Sequence, residues 1–156
     1  MRARSLTLVV FSMAMASIAT FARAGQPQAA SGTAQVTTFT PTSTRQAGDN
    51  TLVEGIATGT FSGTFTGTFV EHLTEIIHPD GDLNFHGEIV FTGNVDGCGS
   101  GTVVLRDEGR GTQFGAFSDA HAVTVDQGFG TVDVHAILDF DFVGFSATYT
   151  GTFQCH

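Results

Sequence analysis

From residue 51 onward the chain alternates apolar and polar residues, and no stretch sustains the apolar spacing of an amphipathic helix. Between Phe61 and Ile77 one parity carries Phe61, Gly63, Phe65, Gly67, Phe69, Glu71, Leu73, Glu75 and Ile77, while the other carries mostly hydroxyl residues. Successive side chains of a strand point to opposite faces. This stretch therefore reads as a long strand with a Phe-and-Gly face turned inward and a Thr face turned to water. The triplet Gly-Thr-Phe stands at 59–61, 63–65 and 67–69 and returns at 151–153. Glycine between bulky rings lets a sheet curve tightly.

His78-Pro79-Asp80-Gly81-Asp82 matches a type I turn followed by glycine in the left-handed region. That turn predicts a hairpin pairing Phe69 with Phe91, Glu71 with Ile89 and Glu75 with Phe85. The next segment carries Leu83, Phe85, Ile89, Phe91 and Val95 on the matching parity, so turn and pattern agree. Further strands are expected near 34–40, 51–60, 102–108, 117–126, 131–142 and 145–155. Val143-Gly144 reads as a two-residue turn that pairs Phe140 with Ala147 and Leu138 with Tyr149. About eight alternating strands without a helix predict an all-β chain, a single closed antiparallel barrel rather than a sheet with open edges.

The N-terminal stretch has a different pattern. Arg2 and Arg4 precede an apolar run from Leu6 to Phe21, which ends in Ala22-Arg23-Ala24 before Gly25. A basic start, an apolar middle and a small-x-small end describe a secretory signal. The expected organisation is a signal peptide over 1–24, a flexible leader over 25–33 and the barrel domain over 34–156. Secretion, to the periplasm or outside the cell, follows from that reading. The apolar run is too short and too rich in Ala, Ser and Thr to favour a membrane anchor.

Beyond residue 24 three Arg and no Lys face fifteen acidic residues, a net charge of −12 with His neutral. Such a surface repels phosphate backbones and anionic lipid heads. Nucleic acid is therefore not an expected partner, nor is membrane insertion once the signal is removed. Cys98 and Cys155 are the only cysteines, and in an exported chain they read as one disulfide. If neighbouring strands alternate in direction, the two lie at the same rim of the barrel.

The run from Thr58 to about Arg110 holds Thr-Gly-Thr-Phe, the Pro79-Asp80-Gly81 turn, Phe91-Thr92-Gly93 and Gly97-Cys98-Gly99-Ser100-Gly101-Thr102. With the closing Tyr149-Thr150-Gly151-Thr152-Phe153, it resembles small bacterial proteins of the allene oxide cyclase-like β-barrel group. The resemblance implies an eight-stranded barrel with an apolar lumen. It also implies a lumen where some relatives cyclise or isomerise hydrophobic substrates without a cofactor. No catalytic motif of the plant enzymes matches residue by residue, and the signal peptide departs from intracellular cyclases.

Glu71 and Glu75 share the inward parity of Phe65, Phe69, Leu73 and Ile77. A carboxyl among Phe rings loses hydration, which raises its pKa and suits it to proton transfer. Tyr149, the only Tyr, shares the inward parity of its strand and is the candidate hydrogen-bond donor, with Asp107 a weaker third acid beside Val103 and Leu105. These groups also read as ligand-orienting or rim residues. The ligand-facing surface is expected from Phe65, Phe69, Leu73, Phe85, Ile89, Phe91, Leu138 and Phe140. His72, His86, His121 and His135 fall on outward parity without convergent ligands, so no metal is expected. No cofactor fingerprint is present, and the sequence sets no oligomeric state. Three functions follow. The first is binding of a hydrophobic small molecule in the lumen of a secreted barrel. The second is cofactor-free cyclisation or isomerisation by the lumen carboxyls. The third is a structural barrel packed by its own Phe side chains.

Overall fold

The computed structural model describes residues 25–112, 118–124 and 131–156. The expected signal peptide lies outside the described residues. Eight strands follow one another: β1 (Gln28–Ala47), β2 (Asn50–Gly63), β3 (Phe65–Ile77), β4 (Asp82–Val95), β5 (Gly99–Thr112), β6 (Ser118–Thr124), β7 (Val134–Val143) and β8 (Ser146–Cys155). Each pairs antiparallel with the next, and β1 with β8, so the sheet closes into a barrel without crossovers. Closure satisfies the ladder that an open sheet would leave at its edges.

The β3–β4 hairpin has the expected register, with Phe69 opposite Phe91, Glu71 opposite Ile89 and Glu75 opposite Phe85. Its turn is closed by the Gly81 amide donating to the His78 carbonyl at 3.0 Å, with Gly81 at φ +91°. The Asp80 carboxylate accepts from the Asp82 amide at 3.2 Å, as Asp does in turns.

Three features differ from the sequence reading. First, β1 begins at Gln28, inside the stretch expected as a leader. Gln28–Gln35 forms the seam with β8, and Ala30 and Ala34 point small apolar side chains into the interior. Second, Pro41 lies within β1, opposite Gly55, rather than ending it. β8 pairs with β1 only as far as Gln35, so at Pro41 β1 is an edge strand, the place where a sheet tolerates proline. Third, the β7–β8 turn is Gly144-Phe145, not Val143-Gly144. Val143 pairs with Ser146 and Phe140 with Tyr149, two residues from the expected register. Gly144 stands at φ +62°, as the first position of a tight hairpin turn requires, and β-branched Val does not tolerate that conformation.

The interior divides into two halves. At the end holding the β2–β3 and β4–β5 turns, Phe65, Phe91, Val95, Leu138 and Tyr149 are almost wholly excluded from solvent. Phe61 links the halves, its ring 5.2 to 6.4 Å from those of Phe65, Phe69, Phe91, Phe140 and Tyr149, mostly edge-to-face. Cys98 and Cys155 form a disulfide at this packed end, with Cα atoms 5.2 Å apart, fastening the C-terminal strand to the β4–β5 turn.

Candidate functional site

The other half of the barrel is not filled. A cavity of about 430 Å³ lies there, opening toward the ends of β3, β5 and β7. Its room comes from side-chain volume. Inward positions on β1, β2 and β6 carry Ala34, Ala57 and Ala120, facing Phe69, Phe85, Phe140 and Ile89. Phe39, Phe142 and Phe145 stand nearer the mouth, Phe145 being 66% exposed.

Three carboxyl groups line this apolar space: Glu71, Glu75 and Asp107. Glu71 and Asp107 are buried, at 8% exposure each, and they hydrogen-bond to one another, so one of the two carries a proton. Burial pushes Glu71 up from its ordinary 4.5 to about 9, reinforced by the charge of Asp107 and by that hydrogen bond. Burial also raises Asp107, while the Glu71 hydrogen bond opposes the shift. Glu71 is therefore the protonated member and donates to Asp107. Asp107 Oδ1 is buried and finds no hydrogen-bond partner among the described residues. Glu75, half-buried closer to the mouth, is raised by burial.

Ladder geometry brings the pair together. Leu73, Gly87 and Asp107 form one row across β3, β4 and β5, with Glu71 two residues from Leu73 on the same face. Glycine at 87 leaves the gap into which Asp107 extends.

Of the eight residues expected to face a ligand, Phe69, Leu73, Phe85, Ile89 and Phe140 line the cavity, whereas Phe65, Phe91 and Leu138 belong to the packed half. Tyr149 does not line it either. Its hydroxyl accepts from the Phe65 amide at 3.0 Å and donates to the Ser62 carbonyl at 3.2 Å, which occupies it with backbone at the far end. Inward parity alone did not mark Ala34, Ala57 or Ala120 as cavity walls, although their small size on that parity is the signal that room exists.

His72, His86 and His121 lie on the outer wall with Glu88, Arg106 and Glu108. His121 Nδ1 meets Asp139 Oδ1 at 2.8 Å, an exposed pair. Among the described residues no three His, Cys, Asp or Glu side chains are arranged to hold a metal ion.

The fold and site define a closed eight-stranded antiparallel barrel, half packed and half hollow, with a buried pair of carboxyl groups inside the hollow. No family model matches the chain, and no curated protein matches it by sequence. Among solved structures it is similar to a protein with unknown function from the DUF3224 family of Shewanella oneidensis MR-1, known from its crystal structure. The two share 16% identity over 84% of this chain and 98% of that one, with a TM-score of 0.68. At that identity the likeness establishes the fold alone.

Proposed function

We propose that this protein is an exported barrel that binds a hydrophobic small molecule in the hollow half of its interior, without transforming it. The cavity carries the reading. Its volume of about 430 Å³ falls in the range of small-molecule sites, roughly 300–1,000 Å³, and apolar walls with a few convergent polar groups are the usual composition of such sites. The motif resemblance to the allene oxide cyclase-like group is in keeping with an apolar lumen, though it does not itself favour binding over chemistry. The Cys98–Cys155 bridge is compatible with a compartment outside the reducing cytoplasm, where the signal-like N-terminus would deliver the chain.

The test is titration of the exported, disulfide-bonded protein with an environment-sensitive apolar fluorophore, alongside native mass spectrometry for co-purifying molecules. The chain has no Trp, so indole emission does not interfere. Saturable one-to-one binding is expected, and Ala57→Phe or Ala120→Phe, which place a ring in the cavity, should abolish it. An absence of binding by the folded protein, or binding undiminished in both filled variants, would overturn the proposal.

One observation favours a second reading, the cofactor-free cyclase or isomerase. Glu71 holds a proton at neutral pH inside an apolar cavity, the state a general acid requires. Glu71→Gln separates the two readings: it should remove turnover in an enzyme and leave the apolar fluorophore bound in a carrier.

A further inference from the structure

The polar side chains lining the cavity are Glu71, Glu75, Asp107 and the hydroxyl of Thr112. Among the described residues no Lys, Arg, His, Asn or Gln contributes to the lining, so the site offers acceptors and almost no donors. The remaining walls are largely Phe, whose ring faces carry negative potential and attract cations. Within this surface the Glu71–Asp107 pair holds one proton between two carboxyls and hence one negative charge. Asp107 is 8% exposed, yet among the described residues its Oδ1 has no donor beyond what Glu71 gives the pair. A buried acceptor without a partner costs free energy comparable to a lost hydrogen bond, and more where the group is charged. The site thus lacks a positive hydrogen-bond donor that arrives from outside on an apolar body.

We infer that the cavity takes an apolar primary amine, its ammonium seated on the Glu71–Asp107 carboxyl pair and its hydrocarbon along the Phe-lined wall. This rests on the ligand-binding reading above and names the class of ligand. The ammonium neutralises the pair's charge and supplies a donor to Asp107 Oδ1, and charge-assisted hydrogen bonds of this kind are the strong ones. Phe rings around it add cation–π attraction, which grows when water is excluded. An alcohol of the same length supplies a donor without the charge. A fatty carboxylate brings a like charge into an acidic cavity.

The experiment is calorimetric titration of the full exported protein at pH 7 with decylamine, decanol and decanoate. Decylamine is expected to bind at least tenfold more tightly than decanol, and decanoate more weakly than both. Asp107→Asn should reduce the amine preference over decanol to about twofold or less. Asp107→Ser provides the same readout if the Asn variant does not fold, whereas Glu71→Gln, which keeps a neutral donor beside Asp107, should retain the amine preference. Decanol binding as tightly as decylamine to the unmodified protein would overturn the amine assignment while leaving a ligand-binding cavity intact. An amine preference undiminished in a folded Asp107 variant would also overturn it. Failure of all three probes to bind would sink the ligand-binding reading together with it.

Discussion

Glu71 of β3 and Asp107 of β5 hydrogen-bond to one another across the intervening strand β4, at the level where Gly87 has no side chain. A Cβ built on Gly87 would lie 2.8 Å from the His72 carbonyl oxygen, 3.0 Å from Asp107 Oδ1 and 3.1 Å from Leu73 Cβ. The first of these is backbone and cannot swing aside. Gly87→Ala should therefore destabilise the fold by about 1–3 kcal/mol, as overpacking does, and push the Asp107 carboxyl away from its seat. Urea unfolding measures the first effect. A variant as stable as the parent would show that the barrel wall yields at this point and that the glycine is not required there.

The same pair gives the protein a pH dependence of definite sign. Glu71 titrates at about 9 in the folded state, against an ordinary value of 4.5. Between those values the folded chain keeps a proton that the unfolded chain has released. The stabilisation from protonated Glu71 is complete below about 4.5 and is lost as pH rises toward 9, by about 1.4 kcal/mol per pH unit at most. Unfolding midpoints at pH 5 and pH 8 should show the lower stability at pH 8. Glu71→Gln should flatten that slope and exceed the parent in stability at pH 8. Some slope is expected to persist, because burial raises Asp107 in the same direction. Identical slopes in parent and variant would contradict the protonated assignment.

Cys98 and Cys155 close a loop of 57 residues in sequence. In the chain-entropy account a loop of that length stabilises by roughly 4 kcal/mol. Because the bridge lies at the packed end, its loss should act on stability rather than on the cavity. Cys98→Ala with Cys155→Ala is expected to lower the thermal midpoint markedly while leaving affinity for an apolar fluorophore within about twofold, measured below the new midpoint. A large loss of affinity in a folded double variant would place the disulfide's influence at the site itself.

How much of this was legible before any coordinates depends on what alternation can encode. In the β3–β4 hairpin the turn residues and the parity of Phe69, Glu71, Phe85 and Phe91 agree, and the register follows from both. In the β7–β8 hairpin parity is blind to a slip of two residues, since Phe140 and Tyr149 face inward in either register. There the decision rests on which residue accepts positive φ, and Gly144 does so where Val143 does not. Parity likewise identifies the inward set without dividing it between the two ends. Phe65, Phe91 and Leu138 obey the same alternation as Phe69, Phe85 and Phe140, yet the first three fill the closed half. The meeting of Glu71 with Asp107 depends on the summed registers of β3, β4 and β5, each of which must be known before either acid has a partner.

Tyr149 tests the division between the two halves. As the only Tyr on an inward face, it reads from sequence as a donor to a bound molecule, whereas the structure gives its hydroxyl two backbone partners at the packed end. Phe65, whose amide donates to it, is 1% exposed, so no water stands ready to replace the hydroxyl. Tyr149→Phe leaves that amide buried without an acceptor and the Ser62 carbonyl without this donor, which should cost about 1–3 kcal/mol. The ring itself stays in place against Phe61 and Phe140, so the core loses no volume. The expected result is a lower denaturation midpoint with ligand affinity, or turnover if any is found, unchanged. A variant of unaltered stability that loses binding or turnover would return Tyr149 to the functional site and require the hydroxyl to leave its backbone partners.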